Sequence, residues 1–410
     1  MRLTPVMLAL LLALSPGAVA MQASAPQASA AQPNAQSGSD TVPPETDENT
    51  TNVLTLETDP ARAAFSSPSL ALGSTLAVGH DGFRTRLSVD ALDQQLAAAN
   101  SVEKKKQILN RYRYHIENRI ISLKATERQA TRAFSNGTIS KSEYLRTLGR
   151  IDTNAEQIRE EVTTLKTYAE STNFGLDAQA LKTKLATVEG PVRNRISRAL
   201  QGQTNPTRIY VATAESGIVL STIDGGTYIR EIYRSDYRKP GQQESVSVEE
   251  AKSEVIEPQY PWIVDNWTGS GRRVYPSIQT IKFTYDYSHG HLVAYTDTGT
   301  AKVYREIQRK ELAGKHSLPP GPAVTNSSEN VTLTVNQIYP GGPLRVKLTN
   351  ATGTPLQGEI TVAGESVGRT DPNGVLWTLG PAEQFGVSAS YEDTTVNVTA
   401  TPVSRPNFDN

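Results

Sequence analysis

The chain has 410 residues, with 41 Lys or Arg against 42 Asp or Glu and a net charge of −1. So even a balance creates no long-range field favouring nucleic acid, a membrane surface or an acidic substrate. Cysteine is absent, which excludes disulfides, a lipid anchor on Cys and thiolate metal sites, and the length calls for two or three domains.

The chain starts with Met1-Arg2, an apolar run from Val6 to Leu14, and then Ser15-Pro16-Gly17-Ala18-Val19-Ala20. A positive end, a short apolar core and a small-residue end read as a secretory signal peptide over 1–20, cleaved after Ala20. The run falls short of the roughly 20 apolar residues needed to cross a bilayer. No other segment approaches that length, so no transmembrane span is expected in the mature chain. Residues 21–60 are Ala, Gln, Ser, Thr and Pro with a few acids, and Arg62 is the first cation after them. That composition predicts a disordered spacer.

Helical periodicity dominates 61–203. Leu109, Tyr112, Ile116, Ile120, Leu123, Ala130 and Phe134 recur at three- and four-residue steps within a stretch free of Pro and Gly from about Val89. Tyr144, Leu148, Ile151, Ala155, Ile158, Val162, Leu165 and Ala169 repeat the pattern as a heptad seam. Between them, Gly137 is a C-cap signal and Ser140 with Glu143 a capping signal. An antiparallel helical hairpin or coiled coil follows, with pairing between chains as the alternative use of the seams. Shorter helices are expected from Asp177 and from Pro191.

From 207 to 312 the period becomes two. Three strands near 208–213, 217–222 and 228–233 are expected, then one helix opened by Ser247 and Glu250 and closed by Pro258, then strands near 279–287, 291–296 and 301–307. Residues 313–329 are rich in Gly, Pro, Ser and Asn and read as a linker. Across 330–402, seven short strands at regular spacing predict an immunoglobulin-like β-sandwich. The whole is a multidomain α+β chain: N-terminal helical hairpin, central α+β antiparallel-sheet module and C-terminal sandwich.

Two resemblances add to this. Gly353-Thr354-Pro355-Leu356-Gln357-Gly358 with Gly368-Arg369-Thr370-Asp371-Pro372-Asn373-Gly374 resembles the carboxypeptidase-regulatory-like or transthyretin-like β-sandwiches, which implies an accessory module. Four short motifs resemble uncharacterised secreted or cell-surface proteins of halophilic archaea, domains of unknown function, over about 49–312. They are Gly137-Thr138-Ile139-Ser140 with Tyr144-Leu145, Glu189-Gly190-Pro191-Val192-Arg193, Gly217-Ile218-Val219-Leu220 with Tyr228-Ile229-Arg230-Glu231, and Val303-Tyr304-Arg305-Glu306. This resemblance implies an exported protein and brings no activity. The chain lacks the acidic excess usual in secreted proteins of extreme halophiles.

Candidate sites are sparse. Seven sequons, at Asn49, Asn136, Asn266, Asn326, Asn330, Asn350 and Asn397, are candidate N-glycosylation sites, with Asn326 and Asn330 foremost. His289 and His291, with Asp286 or Asp297, would supply a metal site only with further ligands, and ordinary turn residues are the plainer reading. Tyr260, Trp262 and Trp267 are either core or an aromatic platform, with core the plainer. The basic run Lys104-Lys105-Lys106, Arg111, Arg113, Arg119, Lys124, Arg128 and Arg132 is expected to face the acids Glu156, Glu160 and Glu161, the alternative being an anionic partner. No Gly-x-Ser-x-Gly elbow, phosphate loop or His-Glu-x-x-His occurs, so no enzyme and no cofactor are expected. The reading is a non-enzymatic secreted or cell-surface structural or interaction protein of the envelope. Its expected partner is an envelope protein or glycan, or a second copy through the helical region, and not nucleic acid. The alternatives are a soluble extracellular peptide- or ligand-binding module and a hydrolase with an unrecognised site.

Overall fold

The computed structural model describes residues 52–56, 59–242 and 245–403. The expected signal peptide at 1–20, Asn49 and most of the 21–60 spacer lie outside the described residues. Five helices fill the N-terminal half of the described chain: α1 (Leu72–Ala97), α2 (Val102–Ser135), α3 (Lys141–Ser171), α4 (Ala178–Leu185) and α5 (Pro191–Leu200). The Ser140 hydroxyl accepts from the Glu143 amide at 3.2 Å to start α3, so the expected hairpin of α2 and α3 forms where its caps are written. Every residue of the α3 seam from Tyr144 to Ala169 is buried, against Leu109, Ile116, Ile120 and Phe134 of α2 and against α4 and α5. Both seams are therefore filled within one chain. The helix expected to run on from Val89 is instead broken at 98–101, because Ser101 caps a new helix by accepting from the Lys104 amide.

The central sheet has eight antiparallel strands in the order β1-β2-β3-β4-β8-β7-β6-β5. They are β1 (Arg62–Ser66), β2 (Ile209–Ala214), β3 (Gly217–Asp224), β4 (Thr227–Arg234), β5 (Trp267–Tyr275), β6 (Thr280–Tyr287), β7 (Gly290–Asp297) and β8 (Lys302–Glu311). Sequence reading expected the inner six and missed both edges. β1 precedes the helices and owes its place to pairing with β2, and β5 carries Gly269, Gly271 and mostly exposed side chains, so neither shows a two-residue apolar pattern. Between β4 and β5, Ser247 and Glu250 form the expected capping box and a helical run follows, with a π-helical segment at Ala251–Ile256.

The sandwich consists of β9 (Ala323–Ser328), β10 (Val331–Asn336), β11 (Pro343–Asn350), β12 (Glu359–Val362), β13 (Glu365–Arg369), β14 (Val375–Leu379), β15 (Phe385–Tyr391) and β16 (Thr394–Ala400). They form two four-stranded sheets, β14-β11-β10-β9 and β13-β12-β15-β16. Seven of these strands stand where the turn spacing put them. The eighth, β9, corrects the expected linker at 313–329: its Ala-Val-Thr-Asn-Ser-Ser sequence lacks an apolar pattern and becomes a strand by pairing with β10.

Alternation divides the central sheet between two neighbours. Ile209, Val211, Ile218 and Leu220 point to the helices, where they meet Phe134, Leu145, Leu148, Ile196 and Leu200. Tyr210, Ala212, Val219 and Tyr228 point the other way, into a core shared with Ala251, Ile256 and Tyr260 and with Ile338, Tyr339 and Leu344 of the sandwich region. The sandwich docks through the 339–342 turn. Ser221 Oγ and Tyr228 Oη donate to the Gly341 carbonyl at 2.5 and 3.0 Å. Gly341 has φ +70°, and a Cβ there would lie 2.3 Å from the Tyr210 ring, so the turn fits only without a side chain.

Residues 52–55 correct the end of the expected spacer. Val53 and Leu54 are buried in this shared core, and the Asn52, Leu54 and Thr55 carbonyls accept from Gln308, Arg230 and Arg234. Two apolar side chains and unfilled strand-side donors suffice to seat a segment whose composition reads as disordered.

Candidate functional site

Two Arg-Glu dipeptides lie at the middle of the sheet, Arg230-Glu231 on β4 and Arg305-Glu306 on β8. Successive strand residues face opposite sides, so each dipeptide sends one charge to each face of a sheet that is covered on both. On the sandwich face Arg230 and Glu306 meet directly, Nη1 to Oε1 at 2.8 Å, both fully buried. Tyr260 Oη donates to Glu306 Oε2 at 2.8 Å, the Leu54 amide donates to the same oxygen at 2.5 Å, and Arg230 Nη2 donates to the Leu54 carbonyl at 2.7 Å.

The helix face is arranged differently. Arg193 of α5 inserts between Glu127 of α2 and Glu231, bonding the first and lying 3.6 Å from the second. Glu231 Oε2 also accepts from the Val192 amide at 3.4 Å, at the start of α5. Gly190 permits this approach, since a Cβ there would fall 1.9 Å from the Glu231 carboxylate. Burial raises the Glu127 carboxyl above its ordinary range, against the pull of Arg193 and Arg305. Burial would lower Arg193, but Glu127 and Glu231 more than offset that and hold it charged. Asp152 of α3 accepts from the Gly190 amide at 3.3 Å, and burial, aided by Glu231, pushes its carboxyl up to about 7.

Arg305 is the odd member. It is 3 % exposed, and its Nη2 donates to the Glu189 carbonyl at 2.5 Å, but Nε and Nη1 have no partner. Glu231 Oε1 and Arg193 Nε are also without hydrogen bonds. Beside this cluster, between α3, the 186–198 segment and the sheet, opens a cleft of about 600 Å³. Its floor is the half-buried Ile229, Ile307 and Tyr295, and its walls carry Arg159, Arg195, Arg198 and Arg309. Arg159 pairs with Glu189, and Arg195 with Asp224 at 3.2 Å.

The sites expected from sequence are dispersed. His289 is buried between the rings of Trp262 and Tyr287, at 5.1 Å from each, and burial, with Lys310 near, lowers it to about 4. His291 is half-exposed on the next strand and holds Asp286 at 2.6 Å, so the two imidazoles do not converge. Among the described residues no three His, Cys, Asp or Glu gather as metal ligands. Tyr260 and Trp262 belong to the core, whereas Trp267 is 50 % exposed. In the basic run only Arg113, to Glu117, and Arg119, to Glu161, form ion pairs among the described residues; Glu156 and Glu160 take none of it. Asn136, Asn266, Asn326, Asn330 and Asn397 are exposed and Asn350 is half-buried. The Asn326 amide donates to the Asn397 carbonyl at 2.7 Å, and the Ala351 amide donates to Asn330 Oδ1 at 3.1 Å, which gathers four sequons on the sandwich.

Sequence reading missed Glu127, Asp152, Arg193, Glu231 and Arg305 as a group. The available signal was a pair of adjacent opposite charges in the middle of two strands whose neighbours are apolar on both sides. Three of the four motifs that resemble a known group of proteins contain one of these residues, Arg193, Glu231 or Arg305.

Three family models match the chain. A domain of unknown function, DUF7096, matches residues 1–205, a family of unknown function, DUF7094, matches 209–315, and an archaeal fibronectin-III type-like domain matches 322–398. The last lies over the strands whose turn had resembled the carboxypeptidase-regulatory-like sandwiches, and its start agrees with β9. No curated protein and no solved structure matches.

Proposed function

The chain belongs to the DUF7096 family, whose domain covers its first half and assigns no activity, and from that premise we propose that it is a non-enzymatic structural or interaction protein of the cell envelope. The archaeal fibronectin-III type-like domain points to a surface or interaction role. The observation that carries the reading is the docking of that sandwich on the central sheet through Gly341, Tyr210 and Tyr228, which makes one presenting body of the sheet and the terminal module. No helix among the described residues is long and apolar enough to cross a membrane. Retention at the surface is therefore assigned to binding an envelope protein or glycan. Self-association is assigned to α1, whose Leu72, Leu76, Phe83 and Leu87 are all exposed on one stripe, because the hairpin seams are already filled.

Brief proteolysis of intact cells tests this. Loss of the protein from whole cells while cytoplasmic markers survive is the expected result; protection until the cells are lysed contradicts it. The alternative of an extracellular ligand-binding module has one observation of its own, the cleft beside Arg305.

A further inference from the structure

The helix-face cleft has the parts of a built binding site and no occupant within the chain. The Arg305 guanidinium, 3 % exposed, lines the cleft and keeps two nitrogens, Nε and Nη1, without hydrogen-bond partners. Orphaned buried donors of this kind are costly, so their presence in a native fold calls for an explanation. Arg309 follows Arg305 by four residues on β8, hence on the same face, and it is exposed at the cleft, as is Arg198 of α5. Neither forms an ion pair among the described residues, unlike their neighbours Arg159 and Arg195. The carboxylates facing the cleft without a cationic partner of their own are Asp152 and Glu156, and burial leaves Asp152 carrying a proton for much of its time near neutrality. Between the cations lies an apolar floor with an aromatic ring, Tyr295, and the volume suits a ligand of one or two sugar rings.

We propose that this cleft binds a carboxylate-bearing saccharide, a uronic acid either free or within an acidic glycan. The carboxylate takes the planar donor forks of Arg305 and Arg309, and the ring lies over Ile229, Ile307 and Tyr295. Three guanidinium groups supply the preference for an acidic ligand, and the ring-sized floor supplies the preference for a sugar over a bare anion. The site stands on the cleft alone, so a cytoplasmic location for the chain would sink the envelope reading and leave this one intact.

Calorimetric titration of the full chain with glucuronate, a glucuronate oligosaccharide, glucose and inorganic sulfate tests the proposal. Saturable binding of glucuronate, none of glucose, and at least a tenfold weakening in Arg309→Gln and Arg305→Gln is the expected pattern. Tighter binding of the oligosaccharide assigns the ligand to a glycan chain, and equal binding assigns it to the free sugar acid. If Arg305→Gln does not fold, Arg198→Gln combined with Arg309→Gln, both at exposed positions, decides the question. Glucuronate heats no different from those of glucose, binding of sulfate alone, or unchanged affinity in the folded variants would overturn it.

Discussion

The two faces of the central sheet receive the same charges and use them in opposite ways. On the sandwich face Glu306 accepts from Arg230, Tyr260 and the Leu54 amide, so its charge is spread over three donors. On the helix face Glu231 has one amide at 3.4 Å and Arg193 at 3.6 Å, and Arg305 keeps two donors unused. Both faces are buried, so exposure does not make the difference. A backbone segment, 52–55, closes the sandwich face, whereas helices that bring their own charges cover the helix face and leave a cleft beside it. The sandwich face holds a completed buried pair, a staple, whereas the helix face leaves Arg305 and Glu231 with polar atoms that have no hydrogen-bond partner.

The largest expected effect comes from unmaking the staple. Arg230→Met strands Glu306 in the core and should cost about 3–5 kcal/mol, read by urea unfolding; a cost under about 1 kcal/mol would remove the distinction between the faces. Asp152→Asn should act in the other direction. The folded carboxyl titrates at about 7 against an ordinary 3.8, so the folded state binds its proton more tightly and loses stability as pH rises between those values. The variant keeps an acceptor for the Gly190 amide and should gain at most about 4 kcal/mol at pH 8, with the gain shrinking toward pH 4. A gain that does not depend on pH would show that Asp152 is ionised at little cost.

Gly341→Ala sharpens the comparison from the sandwich side. Its methyl would meet the Tyr210 ring, and the expected loss is about 1–3 kcal/mol. Faster proteolysis between β8 and β9, with the sandwich itself still folded, would identify the loss as undocking. Glu231→Gln is the mildest, near 1 kcal/mol by thermal unfolding, because Arg193 keeps Glu127 and the α5 amide keeps an acceptor. A loss as large as that of Arg230→Met would mean that the two faces are equally tight.

Much of the fold was legible because it follows local rules. The α3 seam, the Ser140 and Ser247 caps and seven sandwich strands each carry their own period or punctuation. What escaped depends on a partner: β1, β5 and β9 are edge strands held by the neighbour they pair with, and residues 52–55 are ordered by donors more than 170 residues away in sequence. The ionic cluster escaped for the same reason. Arg193, Glu127 and Arg305 look like solvated charges until the sheet and the helices close over them. The sequons were legible as motifs, but only the packing of β9 against β16 gathers Asn326 with Asn397.

The claim that the chain presents surfaces outside the cell is tested most directly by mass spectrometry of the native protein, reading its first residue and its glycopeptides. The account predicts a mature chain beginning at Met21 with glycan on Asn326 or Asn330. A chain that keeps Met1 and carries bare asparagines at all seven sequons would contradict it.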